Sequence, residues 1–317
     1  MSDPGPPEPA KPSTVSAGPS GRWLPLRLWW QGLRPKTLPL AVTPVIVGGA
    51  LAWRDTGTLE PLVLTITLLT AVLIQGGTNL FNDAKDAMRG NDGPDRPGPQ
   101  RLTASGLATA PQVLRSAWLL FGFALLGGAW LVLQGGPGIL AIGIAALVAG
   151  WAYSGGPLPL SHTALGEMFV IAFFGVAAVA GTYVLQAGSH SMVAVLLGLA
   201  LGAQAAAVLI VNNARDLEAD RLAGRRTLAG ALGARGTLIA YGAMMLLPFP
   251  LIAIALRDDR STFLNPCWLA LPYAAWLVWR FARETDGPAR NRQLAMTAFA
   301  QLLLGALMAL TLLLSID

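Results

Sequence analysis

The sequence predicts an all-α integral membrane protein with nine transmembrane helices. Three observations indicate this fold: an unusually apolar composition, apolar runs long enough to cross a bilayer, and basic residues gathered between alternate runs. Of 317 residues, 54% are hydrophobic and 12% are charged, and mean hydropathy is +0.54. Because soluble domains carry about 25% charged residues, lipid is the expected surrounding of most of this chain.

The apolar runs predict the number of spans, because a membrane-spanning helix needs about 20 apolar residues. Nine runs approach that length, at approximately residues 37–54, 60–86, 112–133, 137–154, 163–186, 191–216, 234–256, 263–282 and 293–315. Within the sixth run, Gly198, Gly202 and Ala206 form a stripe of small residues that predicts close helix packing. We expect residues 22–317 to form a single transmembrane domain.

The first 21 residues have a different character from the rest of the chain. Residues 1–21 are rich in Pro, Gly and Ser and contain no apolar stretch of signal-peptide type. This composition predicts a disordered tail and not a secretory signal.

The basic residues indicate the orientation of the spans. One set of loops contains only Arg54, Arg257 and Arg260. The alternate set contains Arg22, Arg27, Arg34, Lys36, Lys85, Arg89, Arg96, Arg101, Arg115, Arg215, Arg221, Arg225, Arg226, Arg235, Arg280, Arg283, Arg290 and Arg292. The positive-inside rule then places the N-terminus in the cytoplasm and Asp317 outside. The net charge of +5 therefore indicates topology and contact with lipid headgroups, and does not favour nucleic acid as a partner.

Two clusters of polar residues occupy equivalent places, each at the cytoplasmic end of a span and before a long loop. They are Asn79, Asn82, Asp83 and Asp86 after the second span, and Asn212, Asn213, Asp216 and Asp220 after the sixth. Residues three or four apart share one helical face. The two clusters resemble a weak internal repeat. We therefore expect the two helix ends to face one cavity.

Grouped carboxylates near a membrane are costly unless a cation neutralises them. Mg²⁺ prefers oxygen ligands and commonly joins one or two carboxylates to substrate phosphates, so two facing clusters predict a metal-bridged diphosphate site. Basic side chains would stabilise negative charge on the leaving diphosphate. The best placed in sequence are Lys36, Arg101 and Arg221, followed by Arg34 and Arg215.

These motifs resemble the UbiA superfamily of intramembrane aromatic prenyltransferases. The resemblance depends on N-D-x-x-D before one cytoplasmic loop and D-x-x-x-D after a later span. Further similar stretches are LRPKTLPLAVTPVIVGGAL (33–51), GNDGPDRPGPQRLTASG (90–106), YSGGPLPL (153–160), GEMFVIAFFGVAAVAGTYVLQ (166–186) and VNNARDLEADRLAGRRTLA (211–229). Together they are most similar to the branch that prenylates 1,4-dihydroxy-2-naphthoate in menaquinone biosynthesis, and they cover roughly residues 30–230.

The resemblance implies nine helices around a central cavity, and Mg²⁺ held through the four aspartates Asp83, Asp86, Asp216 and Asp220. It also implies that Asn82, with Asn212 or Asn213, is a polar neighbour of the metal. Many members of the superfamily carry a further aspartate where this chain has Gly90. Asp92 and Asp95 come slightly later, and either could take that role, with Asp92 the nearer.

The implied reaction joins a polyprenyl diphosphate to the dihydroxynaphthoate ring with loss of carbon dioxide. Weaker candidates for the acceptor or prenyl site are polar or aromatic residues in or near the spans: Asn79, Asp92, Tyr153 and Glu167. Glu167 also sits near a helix start, where a carboxylate complements the helix dipole.

Other functions remain open at this point. The same chemistry could serve 4-hydroxybenzoate, homogentisate, haem or a chlorophyllide, and cation-coupled transport is an alternative of another class. The placement of the aspartates at helix ends before basic loops favours phosphate capture over transport. Prenyl chain length and oligomeric state are not predicted.

Overall fold

The computed structural model describes residues 25–90, 101–156, 159–257 and 265–315. The predicted tail at 1–21, the candidates Asp92 and Asp95, and the terminal Asp317 lie outside the described residues.

The described chain is helical, and the ranges given above contain no β-strand. The α-helices are α1 Leu26–Gly32, α2 Pro39–Thr56, α3 Pro61–Met88, α4 Ala110–Ser154, α5 Gly166–Ile171, α6 Ala178–Ala187, α7 Met192–Arg215, α8 Leu217–Leu222, α9 Leu228–Leu246, α10 Pro248–Ala255, α11 Leu271–Arg283 and α12 Gly287–Leu314. Short 3₁₀ turns at Pro35–Thr37, Leu160–His162 and Pro266–Ala270 precede α2, α5 and α11.

Side chains at several helix starts satisfy backbone N–H groups that no preceding turn can bond. The Ser191 hydroxyl accepts from Ala194 N at the start of α7, and Asp286 Oδ1 accepts from Ala289 N at the start of α12. Such caps typically stabilise a helix by ~1 kcal/mol. They define where α7 and α12, two central helices, begin.

Two glycines interrupt what would otherwise be continuous helices. Gly136, with φ 71° and ψ −160°, divides the 45-residue α4 just before Pro137. At 1.5 Å per residue an unbroken α4 would be about 68 Å long, more than twice the hydrocarbon thickness. The break therefore separates the third and fourth predicted spans. Gly233, with φ 67°, similarly divides α9, where the seventh span was predicted to begin.

Seven helical segments in the described ranges are long and apolar enough to cross a membrane. They are Pro35–Thr56, Pro61–Met88, Ala110–Ser154, Gly166–Ala187, Met192–Arg215, Leu228–Ala255 and Gly287–Leu314. The protein is therefore a multi-pass membrane protein. The count of nine stays a prediction, because it requires two crossings within the broken α4 and one by the short α11.

Helix α7 forms the centre of the bundle and contacts α5, α6, α9, α10 and α12. Its small residues allow the closest approach, as the glycine stripe predicts. A Cβ added at Gly175 would lie 2.3 Å from the Gly198 carbonyl oxygen and 2.7 Å from Gly202 Cα. The facing segment, Ala172–Ala177, is a π-helical stretch between α5 and α6. The outward surface carries exposed leucines such as Leu126 and Leu133, as expected of a lipid-facing bundle.

Candidate active site

A cavity of about 340 Å³ lies within the bundle, lined by residues of α2 to α8, by Leu294 of α12 and by the loops at one end. Its walls are mostly apolar, and its charged residues gather where α3 and α7 end. On α3 the lining runs from Thr67 to Asp86. That separation corresponds to about 28 Å of helix, close to the ~30 Å hydrocarbon core of a bilayer. The cavity therefore combines a polar end with a long apolar interior.

The two predicted polar clusters meet at this polar end. From α3, Asn82 and Asp86 line the cavity, and from α7 and α8 Asn212, Asp216 and Asp220 do so. Each helix thus presents an asparagine followed by an aspartate four residues later, one helical turn apart on the same face. The aspartates are buried, with exposures of 3% for Asp86, 6% for Asp216 and 5% for Asp220.

Asp83 has a different position from the other predicted metal ligands. Its carboxylate accepts hydrogen bonds from the backbone N–H of Leu102 at 2.9 Å and of Thr103 at 3.3 Å. The Thr103 hydroxyl donates to the same carboxylate. Asp83 is 2% exposed and is not among the residues lining the cavity. In this structure Asp83 therefore holds the turn at residues 101–106, in the loop that follows the first cluster, against α3.

Asp86 is held by two arginines. Arg101 Nη1 lies 2.6 Å from Asp86 Oδ2, and Arg225 Nη2 lies 2.8 Å from Asp86 Oδ1. Arg225 also reaches Asp220 Oδ1 through Nη1 at 3.3 Å. A single guanidinium therefore connects the acidic ends of α3 and α8. Without such pairing, carboxylates buried as deeply as Asp86 and Asp220 would strongly destabilise the fold.

Asp216 is paired within its own helix end. Arg215 donates to both of its carboxylate oxygens, each at 2.7 Å. The same guanidinium donates to Asn212 Oδ1 at 2.8 Å and to Asn291 Oδ1 of α12 at 2.9 Å. Arg215 thus positions Asp216 and Asn212, and it does not itself line the cavity.

The remaining basic candidates separate into two groups. Arg34 and Arg101 line the cavity, whereas Lys36 and Arg221 are exposed and outside its lining. Arg34 has φ 55°, a left-handed conformation that is uncommon for a residue with a side chain and often occurs at functional sites.

Arg225 is the cavity residue that sequence reasoning assigned only to topology. In the sequence, only its position five residues after Asp220, in the loop that follows the second cluster, indicates that Arg225 lies near the site. This position does not distinguish Arg225 from the adjacent Arg226.

The weaker acceptor candidates lie at the same end of the bundle. Tyr153 and Asn79 line the cavity. The Asn79 amide donates to the Leu33 carbonyl at 2.8 Å, and so fixes the turn that carries Arg34. Glu167 lies behind the lining, where its Oε1 accepts from Asn213 Nδ2 at 2.9 Å.

His162 belongs to the loop between α4 and α5, beside the cavity residue Ser161. Its carbonyl accepts from Arg226 N at 2.9 Å, which ties this loop to the loop after α8. Burial lowers the pKa of the imidazole to about 4, and the positive charges of Arg225 and Arg89 act in the same direction. His162 is therefore neutral at physiological pH.

The donor set at the polar end fits a magnesium ion. Asp86, Asp216 and Asp220 supply carboxylate oxygens, and Asn82 supplies an amide group. Among the described residues, no three acidic, His or Cys side chains are close enough to form a complete metal cage. One or two carboxylates are enough to hold Mg²⁺, which completes its shell with water and substrate phosphates.

Acidic and basic side chains at one end of a long apolar cavity, inside a membrane bundle, define an intramembrane enzyme for a substrate with an anionic head and an apolar tail. The chain belongs to the UbiA prenyltransferase family, whose model matches residues 41–314. The match extends well beyond residue 230, where the resemblance in sequence motifs stops.

Curated relatives cover most of the chain. It is similar to a 1,4-dihydroxy-2-naphthoate octaprenyltransferase of Escherichia coli, with 37% identity covering 90% of this chain and 95% of the relative. An enzyme of the same name from Mycobacterium tuberculosis is 38% identical, covering 68% of this chain and 74% of the relative. The human UbiA prenyltransferase domain-containing protein 1 is 29% identical, covering 89% and 84%.

Solved structures share the fold. A UbiA homolog from Archaeoglobus fulgidus, bound to DMAPP and Mg²⁺, aligns with a TM-score of 0.65 at 16% identity. The alignment covers 90% of this chain and 99% of that structure. It confirms the predicted all-α membrane fold of the UbiA type.

Proposed function

We propose that this enzyme transfers a polyprenyl group from a polyprenyl diphosphate to 1,4-dihydroxy-2-naphthoate, with loss of carbon dioxide, in menaquinone biosynthesis. The bond between the allylic carbon and the diphosphate oxygen breaks, and a bond forms between that carbon and the ring carbon that carries the carboxylate. The carboxylate then leaves as carbon dioxide, its bonding electrons restoring the aromatic ring, to give demethylmenaquinol. The names of the curated relatives support the choice of acceptor.

The observation that carries the proposal is the convergence of two asparagine–aspartate helix ends on the polar end of one apolar cavity. A polyprenyl diphosphate has the matching form, with a strongly anionic head and a long hydrocarbon tail. The cavity lining offers the head Asp86, Asp216, Asp220, Arg101 and Arg225, and offers the tail a mainly apolar interior.

We assign Asp86, Asp216 and Asp220, with Asn82, to the binding of Mg²⁺ together with the diphosphate. Asn212, whose Oδ1 accepts from Arg215, is assigned to donate a hydrogen bond from its NH₂ group to the diphosphate. Mg²⁺ bound there would neutralise part of the charge on the diphosphate and make it a better leaving group. The presence of Mg²⁺ in the solved relative supports this assignment. Asp83 remains a candidate from the resemblance, although its hydrogen bonds favour a role in fixing the 101–106 turn.

The arginines have two states in this proposal. In the structure Arg101 and Arg225 pair with Asp86, and Arg225 also pairs with Asp220. When the diphosphate binds, their guanidinium groups become donors to its oxygens, a geometry in which arginine is particularly effective. There they stabilise the negative charge that develops as the allylic bond breaks. Arg34, which also lines the cavity, is a further donor for the same head group.

The apolar walls have a chemical role as well as a binding role. An allylic cation reacts rapidly with water, and a cavity enclosed by helices such as α3 and α7 excludes it. Electron donation from the acceptor hydroxyls makes the ring nucleophilic. Because the ring loses carbon dioxide and not a proton, re-aromatisation needs no strong general base. We place the acceptor near Tyr153 and Asn79, at the boundary between the polar and apolar parts of the cavity.

We propose that the enzyme lies in the bacterial plasma membrane with its N-terminus and active site towards the cytoplasm. The basic residues support this orientation. The polar end of the cavity is the end where Arg89, Arg101, Arg215 and Arg225 lie, and basic residues favour the cytoplasmic side. A cytoplasmic opening would also give the two substrates direct access from the compartment that holds them.

Product analysis by mass spectrometry tests the reaction. Membranes containing the protein receive 1,4-dihydroxy-2-naphthoate, a polyprenyl diphosphate and Mg²⁺, and a parallel sample receives EDTA. We expect a metal-dependent product that contains the prenyl group and lacks the carboxylate. Prenylation of 4-hydroxybenzoate or homogentisate in place of the naphthoate would overturn the acceptor assignment. No prenylation of any acceptor would overturn the proposed reaction.

A further inference from the structure

One buried pair on the cavity wall is not used by diphosphate capture. Glu167 lies in the first turn of α5 and Asn213 lies in the last turn of α7, with 2.9 Å between Glu167 Oε1 and Asn213 Nδ2. Glu167 is 4% exposed and Asn213 is 6% exposed. Asn213 lines the cavity, and Glu167 stands behind it. A buried carboxylate in a membrane span is costly, so its retention points to a function.

The hydrogen bond fixes which end of the Asn213 amide faces the cavity. The hydrogen bond runs from Asn213 Nδ2 to Glu167 Oε1, so the amide presents its NH₂ group to Glu167. The amide oxygen, Oδ1, is then left for the cavity. Glu167 Oε2 is buried and has no hydrogen-bond partner in the described part of the chain.

The neighbouring asparagine is held in the opposite sense. Asn212 Oδ1 accepts from Arg215 Nη2 at 2.8 Å, so its NH₂ group is the end left over. Two consecutive asparagines on the cavity wall are thus oriented differently, one by an arginine and one by a glutamate. Asn213 is the one of the two that offers the cavity a hydrogen-bond acceptor.

The position of Asn213 suits an aromatic ligand. It precedes Asp216 by three residues, or about 4.5 Å along the helix, and so lies deeper than the metal-binding aspartates. Helix α5, which carries Glu167, also contributes Phe169 to the cavity lining, and Phe169 stacks on Phe173 with ring centroids 6.0 Å apart. Phe169 and Phe173 both line the cavity and belong to segments that contact α7, so a flat ring lying against them would lie beside that helix.

We propose that Asn213 binds a hydroxyl group of the aromatic acceptor through Oδ1, and that Glu167 is a positioning residue that keeps this oxygen turned to the cavity. The inference rests on the proposed function, because it names a contact of the acceptor in that reaction. A hydroxyl that donates to Oδ1 is anchored and becomes a better electron donor to its ring. The contact discriminates in favour of hydroxylated acceptors and does not involve the diphosphate.

Steady-state kinetics of three variants test this assignment, with KM measured separately for the acceptor and for the prenyl diphosphate. In Glu167→Gln the residue can donate as well as accept, so the Asn213 amide is free to turn over. We expect Glu167→Gln and Asn213→Ala each to raise the acceptor KM about tenfold, the equivalent of one lost hydrogen bond. The diphosphate KM should stay within about twofold of wild type. Glu218→Gln, which removes an exposed carboxylate near the same helix end, is the matched control.

A swapped pair separates positioning from general damage. In the double variant Glu167→Gln/Asn213→Asp, the Gln amide can donate to one oxygen of the Asp carboxylate. The second carboxylate oxygen then faces the cavity, and the net charge of the pair is unchanged. We expect this variant to reverse most of the increase in acceptor KM that Glu167→Gln alone causes. A purely structural role for the pair predicts no such recovery.

The outcomes are distinguishable from failure of the proposed function. If the wild type prenylates the naphthoate and Glu167→Gln keeps the wild-type acceptor KM, the inference is overturned. Equal increases in both KM values would overturn it as well. If the wild type uses another phenolic acceptor, the acceptor assignment fails, and the same comparison with that phenol still decides the role of Asn213. Thermal melting of each variant identifies any that do not fold, and the swapped pair then carries the test.

Discussion

Arg225 and Asp86 lie 139 residues apart in sequence and 2.8 Å apart in the structure. The same guanidinium reaches Asp220, so it bridges carboxylates that belong to the two repeated clusters. Two acidic helix ends brought together would repel each other, and Arg225 offsets that repulsion. The bridge links the stability of the site to a residue placed to receive the diphosphate.

Replacing Arg225 with Gln should therefore have two effects. Turnover should fall, with kcat/KM for the prenyl diphosphate reduced roughly 10²-fold, because a donor to the leaving group is lost. The melting temperature in EDTA should also fall, because Asp86 and Asp220 lose their shared cation. Addition of Mg²⁺ with a prenyl diphosphate should restore much of that melting temperature. Kinetics and thermal melting in detergent measure both effects.

The control for Arg225 is Arg221→Gln. This substitution removes the same charge in the same region, but the Arg221 side chain is exposed and outside the cavity lining. Equal losses of kcat/KM in the two variants would show that net positive charge matters and the bridge does not.

Asp83 and Asp86 should respond differently to the same substitution. Asp86→Asn removes a carboxylate from the cavity and should lower kcat/KM by about 10²- to 10³-fold. It should also lower the melting temperature, because Arg101 and Arg225 lose their ion pairs with Asp86. Asp83→Asn disturbs hydrogen bonds to Leu102 and Thr103 and should lower the free energy of unfolding by about 1–3 kcal/mol. Its remaining activity should still depend on Mg²⁺.

Kinetics with and without EDTA, together with melting curves, distinguish the two aspartates. The resemblance to the family assigns both to the metal, whereas the hydrogen bonds favour Asp86 alone. Loss of turnover in Asp83→Asn without any change in melting would restore Asp83 to the metal site.

The sequence was sufficient for the fold class and for the expectation that aspartates from two helix ends meet. A low charged fraction, apolar runs and aspartates at two helix ends are local features, and each can be recognised without knowledge of distant contacts. Asp86, Asp216 and Asp220 were predicted in this way, and the structure places all three on one cavity.

The direction of individual side chains could not be predicted. Asp83 and Asp86 are three residues apart and share a broad helical face, yet one bonds the 101–106 turn and the other lines the cavity. That difference depends on where a distant loop packs. The same reason applies to Arg225, whose role follows from the approach of the loop after α8 to the end of α3.

The contact between the π-helical stretch and α7 should be intolerant of added volume. Gly175→Ala would place a methyl group 2.3 Å from the Gly198 carbonyl oxygen, a backbone atom that cannot move aside. We expect a loss of about 1–3 kcal/mol of stability from the overpacking, measured by melting in detergent. Gly122→Ala is the matched control, because nothing lies within 4 Å of a Cβ at that position. Equal melting temperatures in the two variants would contradict the close approach.

His162 should make the protein less stable as the pH falls below 6.5. The pKa of the imidazole is 6.5 in an exposed histidine and about 4 in the folded protein, chiefly because of burial. Between these values the unfolded state binds a proton that the folded state does not, so acidification favours unfolding. In His162→Asn this contribution is absent, and the drop in melting temperature from pH 7.5 to 5.5 should be smaller than in the wild type. His190→Asn replaces the other histidine of the chain, which is exposed, and should retain the wild-type drop. An unchanged drop in His162→Asn would mean that the folded protein already accepts the proton at His162 near pH 6.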